Sequence, residues 1–100
     1  MNHGLPESAV ARIGQVLAAH PAVERAVLYG SRAKGTHRPG SDIDLTLFGE
    51  SLTARDLGGI ADALDELLLP YTIDLSLYAA LDHPGLRDHI DRVGVVFYER

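Results

Sequence analysis

Hydrophobic positions along the chain follow two periods. From Pro6 to about His20, Val10, Ile13, Val16 and Leu17 recur at helical spacing and predict an amphipathic helix. Pro6 suits its first turn, Glu7 suits the positive end of the helix dipole, and His20-Pro21 stops it. An apolar run from Val23 or Arg25 to Tyr29 predicts a strand that Gly30 ends. Ser31 to Lys34 fits a short helix capped by Ser31, with free N–H groups aimed at an anion, and Gly35 to Ser41 is rich in turn residues.

Period two returns from Asp42 to Phe48. Asp42, Asp44, Thr46 and Phe48 share one face, and Ile43, Leu45 and Leu47 the other. Tyr71 to Tyr78 repeats the pattern, with Tyr71, Ile73, Leu75 and Leu77 opposite Thr72, Asp74, Ser76 and Tyr78. Between these strands, Thr53 and Asp56 form a weak capping box for a helix with the stripe Leu57, Ile60, Ala61, Leu64, Leu67 and Leu68, ended by Pro70. Gly58 and Gly59 each cost that helix about 1 kcal/mol against alanine, which points to a late start or a close helix–sheet contact. Pro84 opens a last helix with Leu86, Ile90 and Val93, capped by Asp82 or His83. The tail Val95-Val96-Phe97-Tyr98 fits a strand or a continued helix. This order predicts an α/β fold, a small mixed sheet with helices packed on it. The link between the first two strands is too short for a crossover helix and predicts an antiparallel pair.

At 100 residues the chain is expected to be one domain, 1–100. A core of that size buries a modest share of the surface, so a partner fits its normal state. There is no cysteine, which removes disulfides and thiolate chemistry. No signal peptide is visible and no apolar run approaches a membrane span, so the default location is the cytoplasm. The formal net charge of −5 argues against general duplex nucleic acid binding. The charge is uneven: Arg25, Arg32, Lys34 and Arg38 gather around the Gly30-Ser31 turn, while Asp56, Asp62, Asp65 and Glu66 load a later segment. A basic rim beside acidic residues suits a small polyphosphate better than a polymer.

The chemistry concentrates in Gly30 to Leu45. A Gly-Ser turn can hold phosphate through backbone N–H groups and a hydroxyl, with Arg32 and Lys34 as further candidates for the triphosphate. Aspartate is disfavoured in strands, yet Asp42 and Asp44 lie on one face of one strand. Carboxylates so placed repel unless a cation sits between them, and oxygen ligands suit Mg²⁺ (or Mn²⁺) bound with substrate phosphates. Ile73-Asp74-Leu75 repeats Ile43-Asp44-Leu45, so Asp74 reaches the same cavity if the strands are neighbours. Its role would be metal ligand and orienter or base for an attacking hydroxyl. Tyr29 and Tyr78 either pack or line a pocket, and the histidines form no persuasive metal cluster. The Gly-Ser signal matches neither a Rossmann glycine fingerprint nor a Walker lysine loop.

Gly30-Ser31, ten residues, then Asp42-Ile43-Asp44 resembles the signature of the polymerase-beta-type nucleotidyltransferase superfamily. The short chain is similar to the minimal nucleotidyltransferases, encoded beside HEPN-type helical proteins. The resemblance runs from about Val23 to Tyr98, and Asp88-His89-Ile90-Asp91-Arg92-Val93-Gly94 with Val96-Phe97-Tyr98 resembles a subgroup paired with a four-helix HEPN protein. The resemblance implies that Gly30 and Ser31 hold phosphate and that Asp42, Asp44 and Asp74 are the metal-binding, catalytic carboxylates. It implies ATP as the nucleoside triphosphate. Larger relatives carry an added helical domain for the acceptor, and this chain ends at Arg100 without one. Related minimal proteins are antitoxins that transfer AMP to a tyrosine of a HEPN ribonuclease toxin. Three readings follow: an active nucleotidyltransferase with a separate helical partner, an antitoxin or regulatory binding subunit with little or no turnover, and a plain structural domain. A homodimer is the alternative assembly.

Overall fold

β1 (Arg25–Tyr29) lies inside a four-stranded sheet of order β3-β2-β1-β4. It pairs antiparallel with β2 (Ile43–Phe48) and with β4 (Val95–Glu99), while β2 pairs parallel with β3 (Ile73–Leu77). The computed structural model describes residues 3–100. The short connection predicted an antiparallel β1–β2 pair, and that pairing is present. The parallel β2–β3 pair needs a crossover, which α3 (Ala54–Asp65) supplies. α1 (Glu7–Ala18) precedes the sheet, α2 (Gly30–Lys34) follows β1 directly, and α4 (Pro84–Val93) leads into β4. The tail is therefore a strand.

Strand alternation sorts the two faces. Ala26, Leu28, Ile43, Leu45 and Leu47 join Ile13 and Leu17 of α1 and Ile60 and Leu64 of α3 in the main core. Burying one such side chain contributes about 1.5–3 kcal/mol, so this face anchors the sheet. The opposite face carries Val27 and Tyr29, covered by Ile90 of α4 with Leu86 and Val93 beside it. Phe48 at the end of β2 and Tyr78 just after β3 also pack against this second, smaller cluster.

Local signals account for most boundaries. The Thr53 hydroxyl accepts from Asp56 N–H and the Asp56 carboxylate accepts from Thr53 N–H, completing the capping box. His83 caps α4 by accepting from Leu86 N–H. Elsewhere the boundaries move. Pro6 stands at the cap position before α1, and the helix ends at Ala18. α2 begins at Gly30 with Tyr29 as its cap residue, so Ser31 is not the cap. α3 ends at Asp65, and Leu68 turns outward at φ +54° and 88% exposure, off the buried stripe. Gly58 and Gly59 mark neither a late start nor a close contact: α3 starts at Ala54, and both are exposed with open space where a Cβ would stand. Asp42 precedes β2, and Tyr78 leaves β3 for a single 3₁₀ turn, Tyr78–Ala80. Among the described residues no helix is long and apolar enough to cross a membrane.

Candidate active site

The sheet register builds a row of three side chains. Tyr29 of β1 is paired with Asp44 of β2, and Asp44 with Asp74 of β3. Directly paired residues point to the same face, so two carboxylates stand side by side with a tyrosine on their flank. The next row is Val27, Thr46 and Ser76, in which the Ser76 hydroxyl donates to the buried Thr46 hydroxyl at 3.0 Å. That bond ties β2 to β3 beneath the carboxylates. Asp42 lies exposed in the loop just before β2.

Electrostatics confirm the crowding. Partial burial pushes the Asp44 carboxyl above its ordinary value, the negative charges of Asp74 and then Asp42 push it further, and His89 pulls the other way. Burial likewise raises the Tyr29 hydroxyl, Ser76 offsets part of this, and Asp74 and Asp44 add to it. A site where the anion is disfavoured by its neighbours is one that a cation would relieve. The donor set is all oxygen, which fits Mg²⁺ or Mn²⁺. Among the described residues no three acidic or imidazole groups enclose an ion by themselves. Such an ion would therefore complete its shell with water and phosphate oxygens, as Mg²⁺ usually does.

Gly30 makes the approach possible. Its φ is +76°, a left-handed conformation suited to glycine, and a Cβ there would land on Asp44 Oδ2. Ser31 follows, half-buried, at the start of α2. The Gly30 N–H is not free: it donates to His89 Nε2 at 3.2 Å, and the His89 ring meets Tyr29 edge-on at 6.2 Å. His89 is the site neighbour that the sequence reading passed over. Its signal was present, since Leu86, His89, Ile90 and Val93 fall on one helical stripe.

The basic rim is smaller than its sequence cluster. Arg32 is 2% exposed. Its Nε and Nη2 donate to the Ser41 carbonyl at 3.2 and 3.0 Å, and its Nη1 donates to the His3 carbonyl at 2.9 Å. The guanidinium braces the loop that delivers Asp42, which replaces the expectation that it touches phosphate. Arg25 sits at the far end of β1, over the Phe48 ring at 4.3 Å. Lys34 stands exposed at the end of α2. A cavity of about 720 Å³ is also at that far end, between Arg25, Phe48, Tyr78 and Leu52. None of the three aspartates lines it.

The family model of the nucleotidyltransferase domain described as "Polymerase beta, Nucleotidyltransferase" matches residues 11–100. The chain belongs to this nucleotidyltransferase family. A solved structure of a provisionally assigned minimal nucleotidyltransferase is 31% identical, with 95% of each chain covered and a TM-score of 0.69. A toxin–antitoxin structure with AMP-PNP is 22% identical, covering 91% of this chain and 73% of that one, at a TM-score of 0.73. A complex of a tri-AMPylated HEPN toxin from Shewanella oneidensis with its MNT antitoxin is 18% identical, covering 94% and 72%, at a TM-score of 0.69. These last two likenesses are of fold. A comparison with curated proteins gives no match. As a family member the chain is a nucleotidyltransferase, and its mixed sheet with packed helices is the fold that the resemblance implied.

Proposed function

We propose that this nucleotidyltransferase transfers AMP from ATP to a hydroxyl on, or held by, a separate helical protein of the HEPN type. The observation that carries the reading is the row Tyr29–Asp44–Asp74, with the Asp44 carboxylate lodged against the bare Cα of Gly30. Ser31 offers its hydroxyl and N–H to the outer phosphates, with Gly30 giving the backbone room to approach. Asp42, Asp44 and Asp74 would hold Mg²⁺ or Mn²⁺, which when bound offsets charge on the entering and leaving oxygens.

Asp74 is exposed, so it can meet an incoming acceptor, whereas Asp44 is half-buried between its neighbours. Asp74 therefore orients the acceptor hydroxyl and takes its proton. The acceptor oxygen bonds to the α-phosphorus, the bond from that phosphorus to the bridging oxygen breaks, and pyrophosphate leaves with the electron pair. Lys34, exposed at the end of α2, would meet the outer phosphates as a solvent-side charge. A tyrosine of a HEPN toxin is the favoured acceptor and an antitoxin the favoured role, supported by the fold likeness to toxin–antitoxin complexes. ATP supply and the lack of cysteine fit a cytoplasmic setting.

The test is label transfer from α-labelled ATP to the co-encoded helical protein, with intact-mass measurement of the complex. Labelling by the wild type supports the reading. Tight complex formation without label moves the assignment to a regulatory binding subunit, and a self-paired chain without any helical partner moves it to a homodimer acting on another acceptor.

A further inference from the structure

We infer that His89 is a positioning residue that fixes the Gly30-Ser31 turn, and that α4 thereby sets the geometry of the nucleotide site. The inference rests on the proposed nucleotide site. Three observations support it. His89 Nε2 accepts the Gly30 N–H at 3.2 Å, across 59 residues of sequence. That bond requires the imidazole nitrogen facing the turn to be unprotonated, with any ring proton on Nδ1. Gly30 lies at φ +76°, and its missing Cβ leaves the space that Asp44 Oδ2 fills, so whatever holds Gly30 also holds the distance from turn to carboxylate. Ile90, the next residue of α4, is buried against Val27 and Tyr29. The helix is thus anchored to the sheet on one side of His89 and grips the turn on the other.

An unheld glycine turn samples many conformations, because glycine has the widest backbone freedom of any residue. Binding phosphate would then require ordering it first, which weakens affinity without changing the chemical step. The His89 contact supplies that order in advance. A displacement of α4 reaches the phosphate turn through that hydrogen bond.

The experiment compares wild type with His89→Leu, which cannot accept a hydrogen bond, His89→Asn, which is too short to reach, and His89→Gln, whose side-chain oxygen can reach and accept. Two quantities are read in the folded proteins: exchange protection of the Gly30 amide, and affinity for a non-hydrolysable ATP analogue with Mg²⁺. Leu and Asn should lose the amide protection and weaken the analogue about tenfold, the scale of one hydrogen bond. Gln should restore both. Unchanged protection or unchanged affinity in both Leu and Asn overturns the inference, as does failure of Gln to rescue. Should wild type bind no nucleotide, the transfer reading fails. The Gly30 amide still decides on His89: protection lost in Leu and Asn upholds its hold on the turn, and no protection in wild type overturns it.

Discussion

Asp44 and Asp74 are Cα partners in the parallel β2–β3 pair, so two carboxylates share one face at one level of the sheet. Partial burial pushes the Asp44 carboxyl above its ordinary value, and the negative charge of Asp74 pushes it further. A fold that crowds acidic groups gives up some stability at its working site and recovers it when a cation binds.

Asp44→Asn should therefore separate activity from stability. Transfer should fall by about a hundredfold or more, since metal-assisted charge stabilisation is worth several kcal/mol. The variant should also melt higher than wild type at neutral pH. The sign follows from the raised carboxyl: the folded state binds the proton more tightly than the unfolded one, so its contribution is fully favourable below the ordinary value of 3.8. It is lost as pH rises through the higher folded value. The gap between Asn and wild type should be small near that ordinary value and widen toward neutrality. Adding Mg²⁺ with a non-hydrolysable ATP analogue should raise the wild-type melting temperature more than that of the variant. A melting curve insensitive to the substitution at every pH would remove the crowding argument.

Arg32 should behave as a structural residue. Lysine in its place keeps the charge but cannot present the fork that holds Ser41 and His3 together. A buried carbonyl left without a donor costs about 1–3 kcal/mol. Chemical denaturation of Arg32→Lys should show a loss on that scale. Weaker nucleotide binding with unchanged stability would return Arg32 to the phosphates.

Thr53→Ala tests the crossover helix. It removes one half of a reciprocal cap beyond the end of β2, whereas Asp44 is near the start of that strand, and a cap of this kind is worth about 0.5–2 kcal/mol. Denaturation should report that loss while the nucleotide affinity of the folded fraction holds. A cap loss that also weakens nucleotide binding would tie α3 to the site.

The fold was legible where one local rule governs. Alternation in Asp42–Phe48 and Tyr71–Leu77 sorts the two faces of the sheet, and Thr53 with Asp56 marks a helix start, because a strand's period and a cap are written in neighbouring residues. What escaped depended on distant ones. Arg32 reads as a phosphate ligand beside a Gly-Ser turn, but its carbonyl partners at Ser41 and His3 come from loop closure. His89 lies on the buried stripe of α4, yet its meeting with Gly30 exists only once β4 returns beside β1. Val95–Tyr98 reads as helix or strand until the open edge of β1 settles it. Gly58 and Gly59 suggest a tight contact by type, and they face solvent.

Gly30→Ala and Gly35→Ala form a matched pair that isolates the role of the turn. Both glycines are left-handed, at φ +76° and +78°. Alanine therefore brings the same kind of backbone strain to each, about 1–2 kcal/mol. Their surroundings differ. A Cβ at Gly35 meets nothing within 4 Å, whereas one at Gly30 lands on Asp44 Oδ2. Gly35→Ala should lose stability and keep most of its transfer activity. Gly30→Ala should lose similar or greater stability and nearly all transfer, because the Asp44 carboxylate must move away from the turn. Denaturation and label transfer on the two variants, side by side, give the comparison. Equal residual activity in both would mean that strain alone explains Gly30, and that Asp44 does not need the space beside it.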